Sequence, residues 1–494
     1  MAEQFLHGVE VIEVLDGPRP IQTVKSSVIG FIGTAPDAAQ EVKASLSTGS
    51  EGGDTGLTFT SKLPGTFGNN IAIRFRNPVA NSAALAVTVS NQVISVSLAT
   101  DAGGVITSTA AQVKTAIEGK ADAHALVAIT NTGGSDGSGV VGALNTLFLA
   151  GGEDEAFPIN TPVLVTASRS QAARAGITGT IKDGLDAIFD QTGAAVVVVR
   201  VEEEALLADT QSNIIGDSAD KTGMWAFTAA ETILGLRPRI LIAPGFSHVL
   251  AVASELSAVA ARMRAVCPID GPNTNDAAAI AYGQNFGTGR IYITDPQTQV
   301  FRSGATINEP ASSRVAGLIA RSDNERGFWW SPSNQEIYGI TGTSRPVDFM
   351  LGDPNCGANI LNENNIATII RKNGFRLWGN RTTSADPRYK FLSVRRTADM
   401  IFDSIQEAHM WAVDRGITKT YYTDVAESVN AYLRKLRNLG AIIGGKCWAD
   451  PDLNSPANIS NGEAYWNFDF GPTYPAEHLI FRAHLNNDYL EELV

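Results

Sequence analysis

Five residues of this 494-residue chain have the types that a hydrolytic site needs: Ser168 and Ser247 as hydroxyl nucleophiles, His248 as a base, and Asp270 and Asp295 as carboxylates. Each follows a β-prone run, and open parallel sheets bind ligands beyond the carboxyl ends of their strands. Only that analogy gathers them. Serine, aspartate, glycine and proline at strand ends are explained equally well by turn chemistry. There is no GxxxxGK(S/T) phosphate loop and no HExxH helix, and GQNFGTG at 283–289 misses the GxGxxG spacing. The six histidines are scattered, and His478 and His484, on one face of a strand, would stand ~20 Å apart, too far to share a metal. Glu202, Glu203 and Glu204 read as a solvated run after a strand. The expectation is of no catalytic, cofactor or metal site.

The totals point the same way. A formal charge of −13 argues against bulk binding to nucleic acid or to an anionic membrane. Hydrophobic content of 44% is too high for a disordered chain and leaves core size unlimited. Cys267, Cys356 and Cys447 lie far apart with no CxxC, so neither a disulfide framework nor a zinc site is expected. No run of about 18 apolar residues is present to span a membrane. The start, MAEQFLHGVEV, has neither a basic nor an apolar signal region. The expectation is of a protein made and kept in a reducing cytoplasm.

The elements that would position the strand-end residues alternate strand and helix. Residues 27–33 read as a buried strand, followed by strands over 163–166, 194–201, 239–243, 266–269 and 290–294. Helices over 180–190, 248–265, 276–285 and 310–324 separate them. The run AAVVVVRV lacks polar alternation, as in strands covered on both faces. Such spacing argues a mainly parallel sheet flanked by helices. Between residues 45 and 155 the composition shifts. A Ser/Gly/Thr-rich linker over 45–55 precedes short alternating strands over 71–76, 85–89 and 93–98, with a hairpin turn at 90–92. A helix over 110–118 and a Gly/Ser loop tip over 133–139 follow.

Beyond residue 345 an Asn-rich turn at 362–365 leads to a strand over 366–371, then to a dense aromatic and basic loop from Arg376 and a turn at Asp386-Pro387. A strand over 390–394 is expected, then a helix capped by Thr397 with Asp399 in its first turn and Arg395 and Arg396 at the junction. Ile401, Ile405, Ala408 and Ala412 give that helix an apolar face, and Val425, Val429, Leu433 and Leu436 do the same for a helix over 424–439. Strands over 465–470 and 478–485 close the chain. In the last of these, Leu479, Phe481, Ala483 and Leu485 line one face, with His478, Ile480, Arg482 and His484 on the other. At the opposite end Val9, Val11, Ile12 and Val14 form a β-prone run that stops at Asp16-Gly17-Pro18. A terminal strand can pair inside its own chain or with a neighbour.

The expected fold is multidomain α/β and α+β. It comprises an N-terminal arm (1–20), a central α/β domain (21–44 plus 156–345), an inserted β-rich outer domain (45–155), a C-terminal α+β core domain (346–470) and a C-terminal strand and arm (471–494).

The turn WGNRT (Trp378–Thr382), the run SVRRTADMI and the closing stretch FDFGPTYPAEHLIFRAHLNNDYLEEL resemble the tail sheath proteins of contractile-tailed bacteriophages. The resemblance is strongest over roughly the last 150 residues and weakest from about 45 to 155. It marks Trp378, Asn380, Arg381, Arg395, Arg396 and Asp399 as a structural core motif. It implies a mechanical subunit in sixfold rings stacked around a tail tube, with baseplate and tail terminator proteins as further partners, located in a virion assembled in the bacterial host cytoplasm. It also implies arms added to neighbours' sheets through Val9, Val11, Ile12 and Val14 at one end and Leu479, Ile480, Phe481 and Leu485 at the other. Arg434, Lys435 and Arg437 become candidates for tube contact, although solvation and dipole complementation at a helix end explain them as well. Two other readings stay open: a soluble α/β enzyme or ligand-binding protein with an inserted domain, and the sheath of a headless bacteriocin or injection system.

Overall fold

The computed structural model describes residues 20–302 and 304–487, which form two compact units. The larger unit takes the described residues up to Ala35, Ile159–Ala172 and those from Thr178 on. Its first sheet runs in the order Ile240–Ile242, Ile29–Thr34, Ala195–Val201, Val163–Thr166. Ile29–Thr34 lies parallel to both of its neighbours and is buried at every residue. Val163–Thr166 forms an antiparallel edge. Valines 196 to 199, with no polar alternation, are buried on both faces. The helix Ile181–Phe189 closes tightly on this sheet because Gly184 has no side chain. A β-carbon there would sit 2.3 Å from the Phe31 ring.

A second sheet orders Cys267–Asp270, Ile291–Thr294, Ile366–Arg371 and Phe375–Trp378. Its first three strands are parallel and the last returns antiparallel. One parallel bridge, Ile240 to Val266, links the two sheets. Ile366–Arg371 thus hydrogen-bonds to Ile291–Thr294 of the central α/β part of the chain. A small antiparallel sheet of Thr298–Arg302, Ala305–Glu309 and Gly342–Thr343 stands apart, and the sequence pattern did not announce it. The architecture is mixed α/β.

The expected strand over 390–394 is not formed. A helix spans Leu392–Ala408, with Phe391 at its N-cap position. Thr397 does not cap it. That residue lies buried inside the helix, its Oγ1 donating to the Ser393 carbonyl at 2.8 Å, and Asp399 is past the first turn. Arg395 and Arg396 likewise belong to the helix, and Ala412 to a separate 3-10 turn, Met410–Ala412. Arg396, Asp399 and Asp403 are buried beside Leu392, Met400 and Ile401, at helical spacing. Charged residues there hid the helical stripe, and packing overrode the local β preference.

Helix Lys419–Asn438 starts at Thr418, whose Oγ1 accepts from the Tyr421 N–H at 3.1 Å. It packs Val429, Tyr432, Leu433 and Leu436 against a two-stranded antiparallel sheet, Ile442–Ala449 with Trp466–Pro472, and Val425 is buried as well. The strand Ile442–Ala449 was not foreseen.

The smaller unit is Pro36–Pro158 with Ala173–Ile177. A four-stranded sheet, Ala86–Ser90, Val93–Ser97, Ala72–Arg76 and Leu144–Phe148, and a three-stranded one, Ser45–Thr48, Leu57–Ser61 and Val127–Asn131, share one apolar core. The stretch read as a linker over 45–55 therefore contains a strand. The helix Ala110–Glu118 begins at a capping box in which Thr109 and Gln112 exchange side-chain and backbone hydrogen bonds. The hairpin between Ala86–Ser90 and Val93–Ser97 turns at Asn91 and Gln92, both with positive φ.

Candidate functional site

Four of the five residues with hydrolytic types are tied into hydrogen bonds or ion pairs of the fold itself. Ser247 is fully buried and donates to Asp270 Oδ2 at 2.9 Å. The Asp270 carboxylate also accepts from the Ser312 N–H at 2.9 Å and Oγ at 2.6 Å, which ties it to the start of helix Ala311–Glu325. Burial pushes the Asp270 carboxyl up, against those hydrogen bonds. Asp295 accepts from the Asn273 N–H and pairs with Arg345. Ser168 closes a turn on Ser170 and Gln171, and His248 is exposed. Among the described residues no group of three or more His, Cys, Asp or Glu is placed to hold a metal.

The motif residues converge instead on the junction between the central sheets and the C-terminal helices. Helix Leu392–Ala408 carries two buried aspartates, each held between arginines. Asp399 pairs with Arg290 and with Arg395 one turn earlier, and Asp403 pairs with Arg239 and Arg264. Arg239 and Arg290 directly precede the strands Ile240–Ile242 and Ile291–Thr294. Arg396 reaches Asp323 of helix Ala311–Glu325. Burial holds the Arg239 guanidinium below its usual value, with the Asp403 carboxylate opposing. Charges this buried persist only when paired, so the ladder fastens the C-terminal helix to the central sheets.

The turn at Trp378–Thr382 is the second anchor. Trp378 packs edge-on against Phe349, and the Gly379 carbonyl accepts from Tyr292 Oη at 2.7 Å. Asn380 accepts from Ser331 through its side chain and from the Leu392 N–H through its carbonyl. Arg381 points the other way. Its guanidinium grips the Glu477 carboxylate at 2.8 and 2.7 Å, and Lys390 lies 3.7 Å from the same carboxylate. Tyr474 packs edge-on against Phe391.

The strand expected over 478–485 is not formed, and among the described residues no strand pairs with this segment. Leu479, Ile480, Phe481 and Leu485 are 68%, 73%, 89% and 93% exposed, so four large apolar side chains face solvent within seven residues. Val9, Val11, Ile12 and Val14 lie outside the described residues.

The two-stranded sheet has unequal edges. Its inner face packs Ile442, Cys447, Phe468 and Phe470 into the core that holds Met400, Ile401 and Leu433. On the Ile442–Ala449 side, the Asn430 side chain donates to the Cys447 carbonyl at 3.0 Å and accepts from the Cys447 N–H at 2.7 Å. On the other side, among the described residues, no strand pairs with the outer edge of Trp466–Pro472. Trp466, Phe468 and Phe470 stay half-buried there, whereas Ile442 and Cys447 are buried. Arg434, Lys435 and Arg437 are exposed at the end of helix Lys419–Asn438, and Arg434 has only a loose partner, Glu427 at 3.6 Å.

Residues 219–383 match the phage tail sheath protein central domain, 384–486 the phage tail sheath C-terminal domain, and 107–201 the tail sheath protein Gp18 domain III N-terminal region. A prophage major tail sheath protein of Pseudomonas aeruginosa (strain UCBPP-PA14) is 45% identical over 362 residues, covering 72% of this chain and 93% of that protein. The tail sheath protein of Burkholderia phage BcepMu is 30% identical over 514 residues, 99% of this chain and 98% of that protein. Among solved structures, the sheath complex of the extracellular contractile injection system PVC, in its contracted state, shares the fold with a TM-score of 0.53 and 18% identity, covering 68% of this chain and 89% of that one.

Proposed function

This chain belongs to the phage tail sheath protein family, a structural and mechanical role rather than an enzymatic one, and on that premise we propose that it polymerises by strand exchange into a helical sheath around a tail tube and contracts to drive the tube through the host envelope. Its place is then the tail of a virion, with the tube protein, baseplate and terminator as partners. The observation that carries the proposal is the pairing of opposites in one chain: a sheet edge with no partner among the described residues, and an exposed apolar segment with strand alternation. Each is a liability in an isolated subunit, and each covers the other in a polymer. The joint is heterologous, so it propagates as a filament unless the rotation happens to close. Main-chain hydrogen bonds in such a joint hold while attached bodies rotate, and the arginine–aspartate ladder makes the C-terminal helix turn with the central sheets.

Deleting residues 1–20 is expected to leave a soluble, folded subunit that no longer forms tubes. Sedimentation and electron microscopy of the truncated protein test this, and tubes of normal length and order would refute it.

The exposed cations at the end of helix Lys419–Asn438 suit a charged inner surface against the tube. Replacing Arg434, Lys435 and Arg437 together with glutamate is expected to weaken sheath–tube binding while self-assembly persists. Each reversal changes exposed charge only, worth up to about 1 kcal/mol per pair, so the triple change acts by accumulation and more strongly at low salt. Co-purification with the tube at unchanged yield would remove these residues from the interface.

A further inference from the structure

The exposed segment 478–485 does not begin where the sheet ends. Strand Trp466–Pro472 stops at Pro472, and residues 473–477 separate it from His478. That short strap is fixed along its length. The Thr473 Oγ1 donates to the Gly440 carbonyl at 2.8 Å, and Tyr474 packs edge-on against Phe391 with ring centroids 6.3 Å apart. The Glu477 carboxylate accepts two hydrogen bonds from Arg381, one from Nε at 2.8 Å and one from a terminal nitrogen at 2.7 Å. Pro475, between Tyr474 and Glu477, locks its own φ and keeps Tyr474 extended, so few conformations satisfy both contacts. The receiving residues form one ledge. Arg381 and Phe391 face each other in an antiparallel bridge, flanked by hydrogen bonds from the Thr382 N–H to the Lys390 carbonyl and from the Leu392 N–H to the Asn380 carbonyl. Side chains of such opposed residues rise on the same side. Lys390 adds its charge 3.7 Å from the Glu477 carboxylate. The ledge runs directly into helix Leu392–Ala408, which Asp399 and Asp403 fasten to the central sheets.

We propose that Arg381 and Glu477 are positioning residues for assembly: their ion pair sets the point and direction in which segment 478–487 leaves its own subunit, so that the swivel of the joint lies after Glu477 and not at the end of the sheet. This rests on the strand-exchange reading above and adds to it the part of the donor that stays with its own subunit. A strap held at both ends has already lost freedom that joining would otherwise cost, so each joint starts from a preorganised donor. Load on the segment passes through Glu477 and the ledge to helix Leu392–Ala408 and the central sheets, and does not peel Trp466–Pro472 away from Ile442–Ala449. The Arg381 and Glu477 side chains are 24% and 29% exposed, and a pair this open to water contributes little to the stability of a single chain. Its effect therefore falls on assembly.

Sedimentation of the full chain over a concentration series, with urea unfolding of the unassembled subunit alongside, tests the assignment. Arg381→Ala and Glu477→Ala are each expected to raise the concentration at which tubes form by roughly tenfold while the urea midpoint stays at the parent value. The double alanine variant is expected to match either single one, because both remove the same contact. Arg381→Glu combined with Glu477→Arg restores the pair with its signs exchanged and is expected to return the threshold toward that of the parent. A glutamate-specific protease reads the clamp before assembly: cleavage after Glu477 is expected to be faster in Arg381→Ala than in the parent subunit. Parental thresholds, additive alanine effects, a fallen urea midpoint, equal cleavage rates, or an exchanged pair no better than Arg381→Glu alone would each overturn the assignment. Strand exchange itself is tested separately by Phe481→Asp with Leu485→Asp. Tubes from that variant would refute the reading on which the proposal rests. Loss of tubes there, with parental thresholds for the alanine variants, would refute the positioning role alone.

Discussion

Aspartate at both Phe481 and Leu485 abolishes polymerisation and leaves the subunit as stable as the parent. The two effects separate because these side chains are 89% and 93% exposed in the single chain, so the fold does not draw on them. Exposed positions of this kind usually change stability by less than about 0.5 kcal/mol. In the polymer both would be buried, and burial of a Phe or Leu side chain contributes roughly 1.5–3 kcal/mol each. Losing both, before counting the desolvation of two carboxylates, weakens every joint by about 3–6 kcal/mol, a factor of at least roughly 100 in its equilibrium constant. Because growth needs every joint in the filament, no residual tubes are expected at concentrations where the parent assembles fully. Sedimentation for assembly and urea titration for stability read the two halves. A variant that sediments as the parent does, or one that loses stability, contradicts the account.

Replacing Asp403 with alanine destabilises the folded subunit by about 3–5 kcal/mol, the usual result of removing one partner from a buried ion pair. Asp403 is 3% exposed and sits between Arg239, 5% exposed, and Arg264, 36% exposed. Without the carboxylate the Arg239 guanidinium, already disfavoured by burial, loses its paired counter-charge and keeps only the weaker fields of Asp399 and Glu231. Arg264 can turn to water and to Gln406, which it also touches at 2.7 Å, so Arg264→Ala is expected to cost only about 1 kcal/mol. The contrast is the informative part, since it separates a buried charge from a surface pair. Urea unfolding midpoints at constant slope measure both. A loss under about 1 kcal/mol at Asp403 would mean that the ladder does not fasten helix Leu392–Ala408 to the central sheets.

What could be read in the sequence followed from periodicity. The strand Ala195–Val201 carries four consecutive valines, and the helix expected over 110–118 forms at Ala110–Glu118. Helix Leu392–Ala408 was misplaced at its start because its buried stripe contains Arg396, Asp399 and Asp403, which look like surface residues until their partners are known. Those partners lie far away in sequence. Asp403 and Arg239 are 164 positions apart, and Arg290 and Asp399 are 109. The strand Ile442–Ala449 went unread because Gly444, Gly445 and Lys446 break its alternation, and its apolar residues make sense only against helix Lys419–Asn438.

The candidate site divides the same way. The alternation from Leu479 to Leu485 is written in the chain and pointed to strand addition. The Asn430 hydrogen bonds to Cys447 and the Arg381 grip on Glu477 were not legible, since each joins segments whose spacing carries no pattern. The resemblance did pick out Arg381 and the closing stretch separately. The structure supplies their connection: the turn that carries Arg381 holds the point from which the C-terminal segment departs.

The most direct measurement of the central claim is electron microscopy of the purified full chain, with its mass distribution in solution recorded alongside. Strand exchange between copies predicts long, striated, hollow tubes, wide enough to surround another tube, that lengthen as protein concentration rises. Discrete monomers or small closed oligomers, unchanged at every concentration, would contradict a polymer built by strand exchange between copies.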